Sequence, residues 1–225
     1  MRLVVVKVSF LLRSFFKFII IKWYFRTLKV VKYLMSLEEL YKELNNITPL
    51  RESRQKCANM VLKDMRLFPK LIDILFMVDD DVSCRAAWVL EFVCKEYIHA
   101  IIPHLDRFTN NLRNVHFYSA VRPVAKVCEF IAKEYDSKKP NTLQKTLSPI
   151  HKKLIVEACF DWMITKQKVA PKAYAMETLF IFGKGPNFVH KELVLILEQD
   201  FHKQSAGYKA RAKHILKKIK KISKS

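Results

Sequence analysis

The chain has 225 residues, enough to bury a core as one domain or as one domain with an appendage. Hydrophobic residues make up 51% of it, which excludes a disordered chain, and three glycines with eight prolines supply too few turn formers for a β-sandwich or a doubly wound sheet. The net charge of +20 is confined to the ends: residues 1–34 and 203–225 carry eight and nine Lys/Arg and no acid, leaving 24 basic residues opposite all 21 acidic ones in between. That near-neutral body argues against an extended surface tracking nucleic-acid phosphates.

In chain order, residues 1–34 come first, a stretch of Phe, Ile, Leu, Val, Lys, Arg and Tyr that resembles a membrane anchor only at first sight. Lys7, Arg13, Lys17, Lys22 and Arg26 interrupt it every four to six residues. No uncharged run approaches the roughly 20 residues a membrane-spanning helix needs. A secretory signal would need a charge-free centre and a small-residue cleavage site, and neither is present. A membrane-surface helix and a targeting segment are the alternatives to an over-extended gene reading, in which the true start is Met35. At that point ordinary helical grammar begins, with Ser36 and Glu39 at capping-box spacing. The expected division is therefore an extension, residues 1–34, and a domain, residues 35–225.

From Met35 onward, apolar residues recur at helical spacing. Phe68, Leu71, Ile72, Leu75 and Phe76 make one face, and Val189, Leu193, Ile196, Leu197 and Phe201 another. The breaks are short: Asp79-Asp80-Asp81, residues 137–141, and Gly183-Lys184-Gly185-Pro186-Asn187. About ten helices joined by short turns are expected. The segment KEYDSKKPNTLQKT reads as an exposed loop. The last helix places Tyr208, Ala212, Ile215, Leu216, Ile219 and Ile222 on one stripe. Lys209, Arg211, Lys213, Lys217, Lys218, Lys220 and Lys221 cover its other faces, as a solubilising cap or a weak anion-binding surface.

A basic residue followed three positions later by a small or apolar one, and then usually by an apolar one four beyond, recurs along the chain. It reads Arg54…Cys57…Val61, Arg85…Trp88…Phe92, Arg122…Ala125…Glu129, Lys172…Ala175…Leu179 and Lys209…Ala212…Leu216, at intervals of 31, 37, 50 and 37 residues. A helix pair of this length cannot bury its own apolar face and must stack on neighbours. The stretches Val82–Leu90 and Ala170–Leu179 resemble the first helix of a HEAT repeat, and the resemblance covers about residues 50–222. It implies an all-α, right-handed α-α superhelix (a HEAT-like solenoid) and a turn Asp paired with a helix Arg, for which Asp81 and Arg85 are the match. Arg122 and Lys172 have no clear turn Asp.

Catalytic and metal chemistry find little footing. The five cysteines form no CxxC and lie in apolar helical stretches, which argues for free thiols in a reducing, cytoplasmic setting. Seven histidines include no HExxH and none at metal spacing from a cysteine. Asp79-Asp80-Asp81 lacks the alternating oxygen ligands of a calcium loop and reads as a helix cap. Gly183-Lys184-Gly185-Pro186 lacks phosphate-loop spacing and reads as a left-handed helix cap. Trp88 and Trp162 are expected in packing between helices.

Short bacterial HEAT-like chains similar to this one sometimes bear the name adenylosuccinate lyase. That superfamily's loop resembles SSxMPxKxNP, and Lys138-Lys139-Pro140-Asn141 has none of its serines, so lyase activity is not expected. The expected function is a non-catalytic, cofactor-free, metal-free and monomeric scaffold that binds a protein partner. The alternative is a nucleic-acid binder related to the HEAT-like alkylpurine DNA glycosylases, whose Asp, Arg and Trp set finds no residue-by-residue match here.

Overall fold

The computed structural model describes residues 35–185 and 187–223, Asn187 by its backbone alone. Among these are eleven α-helices and no strand. The expected role of residues 1–34 lies outside the described residues. The chain divides into two compact units after Glu39, within the first helix, α1 (Leu37–Asn45). Ser36 and Glu39 exchange both hydrogen bonds of a capping box ahead of it, with Glu39 N–H donating to Ser36 Oγ at 3.1 Å and Ser36 N–H to Glu39 Oε2 at 2.6 Å.

In the second unit, longer helices alternate with shorter or broken ones. The first set is α2 (Arg51–Lys63), α4 (Val82–Glu96), α6 (Tyr118–Tyr135), α9 (Val169–Phe182) and α11 (Ala206–Ile222). Within it α2 packs on α4, α4 on α6, α6 on α9, and α9 on α11. The second set is α3 (Phe68–Leu75), α5 (Leu105–Asn111), α8 (Pro149–Ile164) and α10 (Asn187–Asp200). Here α3 packs on α4, α5 on α8, α8 on α9, and α10 on both α9 and α11. Aromatic and ionic contacts join α3 to the α5 segment: Phe68 with His104, Phe76 with Phe108, and the Arg107–Asp73 ion pair.

Small residues let the first set approach closely. Ala86, Ala87, Ala120, Ala125, Ala132, Ala175 and Ala212 are buried along it, with Val, Leu and Cys filling the seams. The core runs between the sets, where Leu71, Ile72, Leu75, Leu90, Ile101, Phe108 and Ile131 are all fully enclosed. No described helix is long and apolar enough to cross a membrane.

Two local expectations are corrected. The segment after α6 is not an open loop: α7 (Thr142–Thr146) forms within it and buries Leu143. Asn141 and Gln144 close a capping box, and Gln144 Nε2 donates to Tyr135 O at 2.9 Å and Ser137 O at 2.7 Å, which ties the insertion to the end of α6. Gly183 is not a left-handed cap, since its φ is −76°. Space is what it supplies. A Cβ there would run into the imidazole of His190 and lie 2.8 Å from Leu179 O. His190 stacks on Phe180 at 5.6 Å and meets Phe180 O through Nε2 at 2.8 Å, and so occupies the volume that a side chain at 183 would need.

Candidate functional site

Along the first set of helices, cations, carboxylates and aromatic rings alternate in one connected band. It begins at α2, where the Arg54 guanidinium lies 5.8 Å from the Trp88 ring centroid and 5.4 Å from that of Phe92, both on α4. Trp88 is half-buried, and its indole N–H donates to Ser119 O of α6 at 2.9 Å. One turn on, Arg122 of α6 holds Glu91 of α4 through both terminal nitrogens, at 2.7 and 3.3 Å. The fork-to-carboxylate geometry explains why Arg rather than Lys stands at that seam.

The centre of the band is Glu129, only 2% exposed. Lys126 and Lys133 each reach its carboxylate at 2.6 Å, one from either side along α6. Lys126 also lies 4.4 Å from the Tyr174 ring of α9 and 5.1 Å from that of Phe130, so its charge is shared between a carboxylate and two π faces. The band ends at Glu177 of α9, which accepts from Lys218 of α11 at 2.7 Å. Its second oxygen is buried without a hydrogen bond, with Arg211 at 3.7 Å.

The repeat positions singled out in the sequence therefore fall into different roles. Arg54 covers two rings, and Arg122 clasps Glu91. Arg85 donates to Asn45 Oδ1 at 3.2 Å. The oxygen that caps α4 belongs to Asp80, which accepts from Val82 N–H at 2.8 Å and from the Tyr41 hydroxyl at 2.7 Å. Those bonds, the Tyr41 one first, hold the Asp80 carboxyl below its ordinary range. Asp81 stands at the N-cap position without a side-chain bond. Lys172 is 5% exposed, donates to Met163 O at 2.8 Å, and has its pKa lowered by burial. Lys209 is half-buried on α11.

On α11, Tyr208, Ala212, Ile215 and Ile219 of the apolar stripe are buried, whereas Leu216 is half-buried and Ile222 exposed. Its basic residues do not act as one patch. Arg211 and Lys218 turn toward Glu177, and Lys213 lies over Phe201 at 5.7 Å, while Lys217, Lys220 and Lys221 are exposed.

His99, His151, His190 and the thiols are absorbed into packing, whereas His116, His202 and His214 are exposed. His151 N–H closes a capping box with Ser148, and its Nε2 lies 2.7 Å from Asp106, joining α8 to α5. His99 meets Glu134 at 3.2 Å. All five cysteines are free and buried. Burial pushes Cys57 up to about 11, and Cys94, Cys128 and Cys159 well above the ordinary thiol range. No cluster of three His, Cys, Asp or Glu that could hold a metal occurs among the described residues.

Among the concavities beside this framework, two differ sharply in lining. An apolar groove of about 730 Å³ lies between the ends of α6 and α9 and the starts of α8 and α10. Val156, Phe160, Phe182 and Phe188 form its floor and wall, and Lys152, Lys153 and Lys184 stand among its lining residues. Phe188 is 59% exposed, unusual for a ring of that size. Sequence periodicity offered no signal for this groove, because it is made by four chain segments meeting end on. The second concavity, of about 280 Å³, lies at the N-terminal ends of α2, α6 and α9. No family model, curated protein or solved structure matches the chain.

Proposed function

We propose that this chain is a non-catalytic scaffold of the HEAT type, a right-handed superhelical stack of helix pairs that engages a protein partner in the cytoplasm. The observation that carries the reading is the apolar groove with Phe188 exposed at its edge, set beside helices that touch their successive neighbours. Concave apolar surfaces with an aromatic at the rim suit the anchor side chain of a partner. Stacked helix pairs supply a long rigid frame for such a surface. Free buried thiols suit a reducing compartment. His99, His151 and His190 serve helix contacts in place of acid–base work, which supports a binding role.

A second reading, nucleic-acid binding, draws on the cation–aromatic band, because bases stack on rings and phosphates on cations. It ranks below the first since Glu91, Glu129 and Glu177 already pair with the band's cations other than Arg54. One experiment separates the two. The full chain, immobilised, is offered cell extract with and without nuclease, beside a Phe188→Asp variant. A stoichiometric protein that survives nuclease and is lost with Phe188→Asp supports the scaffold. Capture abolished by nuclease supports nucleic-acid binding, and capture indifferent to Phe188→Asp overturns the groove as the binding surface.

A further inference from the structure

The smaller cleft combines three features. First, it gathers cations: Arg54 of α2, Arg122 of α6 and Lys168 at the head of α9 all line it, and no carboxylate is among its lining residues. Glu91 answers Arg122. Among the described residues no carboxylate pairs with Arg54 or Lys168, and Arg54 Nε is shut from solvent without a hydrogen bond. Second, three helices begin there, of 13, 18 and 14 residues, with Leu50, Phe117 and Lys168 as N-caps, and none of the three has a side-chain cap. At the start of α6, Tyr118 and Ser119 line the cleft, and at that of α9 Lys168 and Ala170 do, so the positive ends of these two dipoles face it, whereas Pro171 has no N–H to give and Glu52 stands in the first turn of α2. In contrast, Asp80 accepts from the start of α4 and Ser205 from that of α11. Third, Trp88 lines the wall, and Tyr118, half exposed, stands at the mouth with Pro49 and Pro171.

We propose that this cleft binds the phosphoryl group of a phosphate monoester. Its oxygens are held by Arg54, Arg122 and Lys168, and its organic part lies against Trp88 and Tyr118. The cavity of about 280 Å³ admits a phosphoryl group with a small organic part, not a polymer. A dianion is favoured over a carboxylate because Arg54 and Lys168, which no described carboxylate answers, together exceed what one negative charge can use, with Arg122 already shared with Glu91. The inference does not rest on the scaffold reading and stands or falls separately from the apolar groove.

The test is titration calorimetry of the full chain with phenyl phosphate, repeated with inorganic phosphate as competitor. Expected is one site per chain, competition by phosphate, and affinity lowered about tenfold or more by Arg54→Gln or Lys168→Glu. Lys168 is exposed, so its variant keeps the fold even if Arg54→Gln loosens the packing on Trp88. Lys217→Gln/Lys220→Gln, remote on α11, should leave the affinity unchanged. Adenosine monophosphate and O-phosphotyrosine then distinguish a nucleotide from a phosphorylated protein, the tighter competitor marking the source. Binding that does not saturate at one site, that falls as much with the α11 variant, or that ignores Lys168→Glu overturns the proposal.

Discussion

Raising the pH should destabilise this protein through its thiols. Cys94, Cys128 and Cys159 are enclosed in apolar surroundings, and burial raises the pKa of each from an ordinary value of 9.0. In the unfolded chain they ionise near that value; in the folded one they keep their protons. Above about pH 9 the folded state therefore binds more protons than the unfolded, and stability falls as pH rises. Each such thiol costs about 1.4 kcal/mol at a pH one unit above 9, so the three together remove about 4 kcal/mol near pH 10. Cys57, pushed up to about 11, adds to the loss until that pH. Tyr208, raised to about 12 chiefly by burial, adds in the same sense at higher pH. Lys172 works the other way: burial disfavours its charged form, so its cost to stability fades as pH rises toward 10.5. Against a total stability of about 5–15 kcal/mol the thiol effect is large. Urea titrations between about pH 7.5 and 10, with reductant present, measure it. A Cys94→Ala/Cys128→Ala/Cys159→Ala variant starts from a lower stability but should lose far less of it over that range. An equal loss in the variant and the parent would refute the reasoning.

Other substitutions test the packing directly. Glu129→Gln leaves Lys126, 23% exposed, and Lys133, 51% exposed, beside a neutral amide and should lower unfolding free energy by about 1–2 kcal/mol in urea. Gly183→Ala drives a methyl into the His190 ring and toward Leu179 O and should cost about 1–3 kcal/mol, as read by thermal melts, and adding His190→Ala should cost less than its effect in the parent because it relieves the ring part of the clash. Lys172→Met keeps the length of a buried side chain while removing its charge, and should hold or raise the melting temperature at neutral pH.

Helix content was legible because the sequence offers few breakers and long runs of 3.6-residue periodicity. The periodicity of Tyr208, Ala212, Ile215 and Ile219 predicts the buried stripe of α11, and Ser36 with Glu39 the capping box. Less legible was anything decided by a long-range partner. Three adjacent aspartates precede α4, and only the Tyr41 hydroxyl, 39 residues away, marks out Asp80. Glu129 did carry a signal, since it breaks the apolar position of the recurring motif, but its two lysines could be assigned only once the helix had a buried side. Gly183 was misread because glycine at a helix end usually serves a left-handed turn, whereas here a histidine from the next helix claims the room.

The glutamates at the seams also act as addresses. Glu91 accepts an arginine from the following helix of the first set, Glu177 accepts cations from the next one again, and Glu129 is satisfied within its own helix. If α6 and α9 exchanged places, α4 would face a helix with no arginine opposite Glu91, and Glu177 would be shut in without its lysine. A buried carboxylate tolerates no such mismatch, although apolar seams of similar volume would. Charge thus fixes the order of helices that shape alone would leave interchangeable.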